Sequence, residues 1–425
     1  MAAKTIAIGA LAALVVIGVV LAGCTGTIPA QLPADSPSSD SGTGVVEANN
    51  RFAYDLYSQM AHDKAYAGAN IFLSPFSLSS ALAVAYEGAR GSTADEIRSV
   101  FHFPGNTSLL RQGYFTLNAD TNRENANFTL LTANALFAEK SYPFLPGYIS
   151  TARTYYSANT TNLDFINEPD ASRTTINQWV GEKTHDTIQD LLPAGSITPL
   201  TRLVITNAVY FKGTWARQFD KNKTREADFR LSSGKSVPVI MMERTYADAI
   251  YPYAQTGNVQ LLSIPYEQEN GSGLSMLILL PTNDDLAAAE TYLEPHNLSA
   301  LQNSSVSRRV NVYLPKFTLE TKYSLRPTFE ELGMRTAFGG DADFSGMDGT
   351  QYLYIEKIIH QAYVDVDEEG TEASAATAVV MLGKGAPSSE DPIPVFLADH
   401  PFIFLIRDNE QGTILFMGRV ENPVG

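Results

Sequence analysis

Asp367-Glu-Glu-Gly-Thr-Glu-Ala-Ser-Ala-Ala-Thr-Ala-Val-Val-Met-Leu382 is the stretch on which the reading of this chain turns. From Ala373 to Leu382 it contains no charge, no proline and no glycine, an odd composition for an exposed loop. An extended backbone points successive side chains to opposite sides, so Thr371, Ala373, Ala375, Thr377, Val379 and Met381 share one face. That face is small at its start and apolar further on. A strand that slides into the middle of a sheet needs this pattern, because bulk or charge at the leading end would block entry. The next segment, Gly383 to Pro394, has the opposite character: Gly, Pro, Ser and acidic residues make it loop-like and solvated. Composition alone favours a plainer alternative, a small-residue strand followed by a surface loop.

The flanking sequence places this stretch in a mixed fold. Downstream, Pro401–Ile406, a polar turn at Arg407–Gly412 and Thr413–Met417 form a hairpin pattern. Upstream, Leu203–Phe211, Leu274–Leu280 and Val310–Phe317 are hydrophobic and strand-like. The opening third is helical: Phe52, Leu56, Tyr57 and Met60 fall on one helix face. Ser74-Pro75 reads as an N-cap with proline at the first helical position, closed by Gly88 and Gly91. Thr93 with Glu96 reads as a capping box that starts another helix. Helices first and large sheets later indicate an α+β protein.

Charge narrows the partners. With 30 basic and 46 acidic residues the formal charge is −16, which repels phosphate backbones and excludes nucleic acid as a partner. Lys4, the apolar or small run Ile6–Ala22 and Leu21-Ala-Gly-Cys24 form the pattern of an export signal over residues 1–23. That ending resembles a prokaryotic lipobox, in which Cys24 is lipidated and anchors the protein to a membrane; the alternative is a membrane-spanning anchor. Residues 24–45, rich in Pro, Ser, Thr, Gly and Asp, are expected to be a flexible tether, and 46–425 a single globular body. Cys24 is the only cysteine, so no intrachain disulfide forms.

Several motifs together resemble one family. Asp367-Glu-Glu-Gly-Thr-Glu-Ala373 is similar to the hinge motif of the serpins. Ala398-Asp-His-Pro-Phe-Ile-Phe404 with Phe416-Met-Gly-Arg-Val420 is similar to their C-terminal signature. Asn70-Ile-Phe-Leu-Ser-Pro-Phe-Ser77 resembles their second helix, and Thr206-Asn-Ala-Val-Tyr-Phe-Lys-Gly-Thr-Trp215 the third strand of their central sheet; Asp343-Phe-Ser-Gly346 also fits. The resemblance implies a five-stranded central sheet, two smaller sheets and eight or nine helices. It further implies a monomer that traps a target serine protease as a covalent acyl-enzyme, by inserting its cleaved reactive loop as an extra strand. Such insertion is a recognised case of strand addition with release of stored strain.

The same resemblance assigns roles. The reactive loop spans about 368–394, and the family's hinge length counted from Glu368 ends on Lys384, with Gly385 after the cut. A lysine there suits a trypsin-like pocket with a buried carboxylate at its base. A slip of two residues would make Leu382 the bait and the target chymotrypsin-like. Glu368, Gly370, Thr371, Glu372, Ala373, Ser374, Ala375 and Ala376 form the hinge. Non-inhibitory serpins, the alternative function as a binding or chaperone module, often carry proline, charge or bulk at Thr371 and at the positions from Ala373 to Ala376. Glu368 should sit beside Lys316, with Trp215 at the entry point. Ser74, Ser77, Asn207 and His360 should form a polar cluster beneath the middle of the sheet.

Other chemistry is not supported. The chain has no Gly-x-Ser-x-Gly elbow for an enzyme's nucleophile, no His-Glu-x-x-His and no phosphate-cradling loop, and the single cysteine excludes thiol metal sites. Asp341-Ala-Asp-Phe-Ser-Gly346 imitates a calcium loop, but its twelfth position is Tyr352 rather than Glu. No cofactor and no metal are expected.

Overall fold

The computed structural model describes residues 39–121, 123–125, 128–267, 273–371 and 392–425. The export signal, Cys24 and most of the segment read as a tether lie outside them. Helix α1 (Ser39–His62) takes in residues 39–45, the end of that segment, and Val45 is already part of the core. Among the described side chains, Val45 and Val46 are the first that are buried. Phe52, Leu56, Tyr57 and Met60 are all buried on the inner face of α1. Each aliphatic or phenyl group so buried contributes roughly 1.5–3 kcal/mol.

Helix α2 (Pro75–Gly88) begins as its sequence indicates, with Ser74 as N-cap accepting from Ser77 N at 3.2 Å and proline in the first turn. Nearly all of its side chains are buried, so it is a core helix rather than an amphipathic surface one. The expected capping box does not form. The following helix starts at Gly91 behind Arg90, which makes no side-chain cap. Thr93 instead accepts from Asp343 N (2.9 Å), and Glu96 from the backbone N–H of Arg335 and Thr336 (both 2.7 Å). Both side chains bind a distant segment, which a local signature cannot reveal.

Numbered in chain order, the strands of the central sheet are β1 (Phe128–Glu139), β2 (Asn159–Leu163), β3 (Leu203–Thr214), β4 (Phe317–Ser324), β5 (Ile359–Val366) and the two-residue β6 (Gly370–Thr371). Their order is β4–β5–β6–β3–β1, with β2 parallel to the C-terminal part of β1 and Arg123–Asn125 antiparallel to its start. The five long strands match the expected count; β6 and Arg123–Asn125 add two short pieces. The second sheet is not small: it has seven strands, ending in the paired Phe402–Asp408 and Ile414–Val420. A four-stranded sheet holds Val395–Leu397, Asn311–Pro315, Ser236–Arg244 and Arg225–Arg230. The described residues hold ten α-helices against the eight or nine expected, several of them very short.

The core lies between the first two sheets. Phe317 packs on Phe402 and Phe404, and Phe211 on Phe416, so aromatic rings tie the sheets together. The stretch Val310–Phe317, read as one strand, is divided: Asn311–Pro315 joins the four-stranded sheet, and β4 starts at Phe317. Lys316 is the junction, with its N–H donating to Ile240 O at 2.8 Å.

Candidate functional site

β5 is followed by a tight reversal. Asp367 N donates to Gly370 O (3.0 Å), while Asp367 Oδ1 accepts from Glu369 N (2.8 Å) and Gly370 N (3.1 Å). An aspartate that captures backbone donors two and three residues on is a turn former. The chain therefore re-enters the sheet as β6, with Thr371 opposite Val366 on one side and Gly370 and Thr371 opposite Thr214 and Gly213 on the other. Only glycine fits at 370, where a Cβ would lie 2.0 Å from Gly213 O. At Gly213 a Cβ would meet the rings of Phe211 and Tyr266 at 2.7 and 2.8 Å.

Each carbonyl of the reversal is held. Trp215 donates from Nε1 to Asp367 O (2.9 Å) and from its backbone to Glu369 O (2.8 Å); Phe219 N donates to Glu368 O (2.9 Å). The Trp215 ring is buried and stacks on Tyr266 at 4.5 Å. The Tyr266 hydroxyl meets Thr371 Oγ1 at 2.7 Å, and burial raises its pKa well above the ordinary value. Lys316 Nζ lies 2.8 Å from Glu368 Oε2, and Lys221 pairs with Glu369. Burial on its own would raise the Glu368 carboxyl, but the hydrogen bond from Lys316 and further donors outweigh it and hold it below its ordinary value. The Glu368 side chain is 6% exposed and Lys316 37%, so the pair sits at the rim of the site rather than inside it.

The middle of the cleft is polar. His360 is buried on β5, and its Nε2 accepts from Ser74 N at 3.0 Å. The ring is therefore neutral with its proton on Nδ1, and burial pushes its pKa from 6.5 down to about 4. Ser74 Oγ donates to Leu415 O (2.8 Å), linking this point to the second sheet. Ser77 and His360 both line the cavities here, whereas Asn207 is placed by its backbone alone, opposite Asn134.

Below the polar cluster the cleft is hollow. β3 at residues 203–206, β5 at Ile359-His360 and the inner face of α2 enclose a cavity of about 260 Å³. Among the described residues, β3 and β5 are connected through β6 alone. The residues Glu372, Ala373, Ser374, Ala375, Ala376, Leu382, Lys384 and Gly385 lie outside the described residues. The chain is described again from Pro392, where Arg308 donates to Pro392 O (3.2 Å) and Asn311 N to Pro394 O (2.9 Å). Val395–Leu397 then runs parallel to Asn311–Pro315. His400 secures that end through Asp399 Oδ1 (2.7 Å) and Pro281 O (2.6 Å). Burial opposes a charge on His400, yet these acceptors raise its pKa above the ordinary 6.5.

Sequence reasoning missed Tyr266, Phe219, Lys221 and the turn-forming role of Asp367. Asp367 carried a usable signal, an Asp followed three residues later by Gly. The other three come from distant segments and carried none.

Comparison with known proteins agrees with this geometry. The family model described as "Serpin (serine protease inhibitor)" matches residues 47–423. A serpin-like protein of Methanosarcina acetivorans is 42% identical over 89% of this chain and 88% of its own length. The leukocyte elastase inhibitor of Bos taurus is 41% identical, over 88% of this chain and 98% of its own. The solved structure "Cleaved Serpin 42Da" superposes with a TM-score of 0.78 at 28% identity, covering 90% of this chain and 99% of that one. The chain belongs to the serpin family of serine protease inhibitors.

Proposed function

We propose that this serpin is a suicide inhibitor of trypsin-like serine proteases, with Lys384–Gly385 as the scissile bond. The protease serine attacks the Lys384 carbonyl, the bond to Gly385 breaks, and the new amine leaves with a proton while the ester remains. Insertion of the freed strand then displaces the protease before water reaches that ester. The observation that carries this reading is β6, two residues of the hinge already paired between β3 and β5. Continued in the same antiparallel register, the strand would set Ala373 opposite Phe211 and Ala375 opposite Val209. Thr377 would then face Asn207 and His360. Val379 and Met381 would fall opposite Ile205 and Leu203, beside the cavity. The run is therefore small where the cleft is tight and apolar where it is hollow.

The test is incubation with trypsin. A covalent complex stable on a denaturing gel is expected, with a released fragment that begins at Gly385, and Lys384→Ala should abolish it. A complex formed equally well by Lys384→Ala would move the cut to Leu382 or elsewhere. On the leader sequence, we read the protein as exported and held at a membrane by lipid on Cys24. Stable anchoring needs two or more acyl chains, so Cys24→Ser should release it or block its maturation. Wild-type protein recovered wholly from the soluble exported fraction would contradict this.

A further inference from the structure

We propose that the lower pole of the body, at the foot of the cleft, is the face that seats on the membrane, so that the reactive loop is turned outward. This rests on the anchored reading of Cys24 given above. Three loops build the face. Leu200, Tyr352 and Tyr354 surround one opening and are 79%, 85% and 53% exposed, and Leu145 is 40% exposed. The loops are stitched to one another: Leu145 N donates to Met347 O (2.7 Å), and the Tyr142 hydroxyl to Asp348 Oδ2 (2.5 Å). The Arg202 guanidinium lies over the Tyr142 ring, 5.7 Å from its centre, and Phe144 packs on that ring at 4.9 Å. Single exposed apolar residues are ordinary, but several on one built surface mark an interaction site.

Charge, side-chain chemistry and the length of chain before Ser39 select a bilayer as the occupant. Residues 139–145, 198–204 and 347–357 carry Lys140, Arg202 and Lys357 against Glu139, Asp348 and Glu356, a balance of zero in a chain of −16. Glu139 and Asp348 are buried, so what this face shows to solvent leans basic, and it escapes the repulsion that the rest of the surface meets at an anionic head-group layer. Tyrosine, with an apolar ring and a polar tip, belongs at the level of the head groups. Residues 24–38 can span at most roughly 50 Å. A body of this size has a radius of gyration of about 21 Å, so that span lets most of its faces turn to the bilayer, and surface chemistry chooses among them. β3 runs from Leu203 beside this face to Thr214 beside β6, roughly 36 Å of extended chain. Seating the lower pole therefore carries the hinge and the loop root at Pro392 away from the lipid.

Quenching by lipid tests the face. The exported protein is held on phosphatidylcholine vesicles with brominated acyl chains through its own anchor. Where mass spectrometry finds Cys24 unmodified, its thiol is coupled to a maleimide lipid instead. The native tryptophans, Trp179 and Trp215, give the background. Tyr352→Trp should lose its added emission to the brominated chains, whereas Ile393→Trp, at the loop root, should keep it. Adding Leu200→Ser and Tyr354→Ser to Tyr352→Trp should restore the emission and leave capture of trypsin unchanged. An unquenched Tyr352→Trp, or equal quenching at 352 and 393, overturns the face. A dimer that Leu200→Ser dissolves, with Tyr352→Trp unquenched, would give the surface to a second copy and equally overturn it. A free thiol at Cys24 with quenching confined to Tyr352→Trp would remove the lipid anchor and leave the face standing.

Discussion

At the upper end of the cleft, the four carbonyls from Asp367 to Gly370 all have backbone or indole donors, and Thr371 is buried against Tyr266. At the lower end, the same two strands face a cavity of about 260 Å³. An unfilled apolar space forfeits the contacts that its lining would otherwise make. Filling one of this size is worth at most on the order of 6 kcal/mol, less because the mouth is open to water. For the proposed insertion, the contrast makes entry and completion separate problems. The upper end is fixed by hydrogen bonds, whereas the space that a completed strand would fill lies further down.

The largest effect should come from breaking the upper end. Thr371→Arg would put a long charged group where Thr371 is now buried, and desolvating it costs several kcal/mol. The protein should still be cut in its loop, but as a substrate, with the covalent complex lost. Gel analysis and product counting check this, and a complex at wild-type yield would mean that entry does not pass through this position.

A smaller effect, seen as pH dependence, should separate the upper end from the cleft below it. Folding keeps His360 neutral down to about pH 4, while the unfolded ring titrates near 6.5. The contribution of this site is therefore complete above pH 6.5 and drains away as pH falls to 4, by about 3 kcal/mol. Glu368 has a lowered pKa, so its contribution persists above its ordinary 4.5 and is lost only below that. Between pH 6.5 and 4.5, acid should thus weaken the polar middle of the cleft while the Lys316–Glu368 pair at the upper end remains. Unfolding free energies of wild type and His360→Gln across this range should converge as pH falls. Parallel curves would show that His360 does not titrate as its burial requires.

What could be read from the sequence divides along similar physical lines. Period and caps exposed α1 and α2, since Phe52, Leu56, Tyr57, Met60 and Ser74 act within a few residues of their own position. The stretch from Asp367 to Thr371 could be singled out because its motif is contiguous. The division of Val310–Phe317 at Lys316 was not, because β-branched and aromatic residues read alike on either side of Pro315. Thr93 and Glu96 misled, since their local spacing fits a cap while their partners lie near residue 340. The cavity had no signature at all: its walls come from six separated stretches, and an absence of atoms leaves no pattern.

The central claim, that the cleft between β3 and β5 accepts the run Thr371–Met381 as a strand, is tested most directly by comparing the thermal unfolding of intact and loop-cleaved protein. Insertion would give that run partners on both sides and fill the lower cavity, at about 1 kcal/mol net for each hydrogen bond gained. The cleaved form should then melt higher by roughly 10 °C or more. A cleaved form that melts at or below the intact temperature, as an ordinary nicked chain does, would contradict the account.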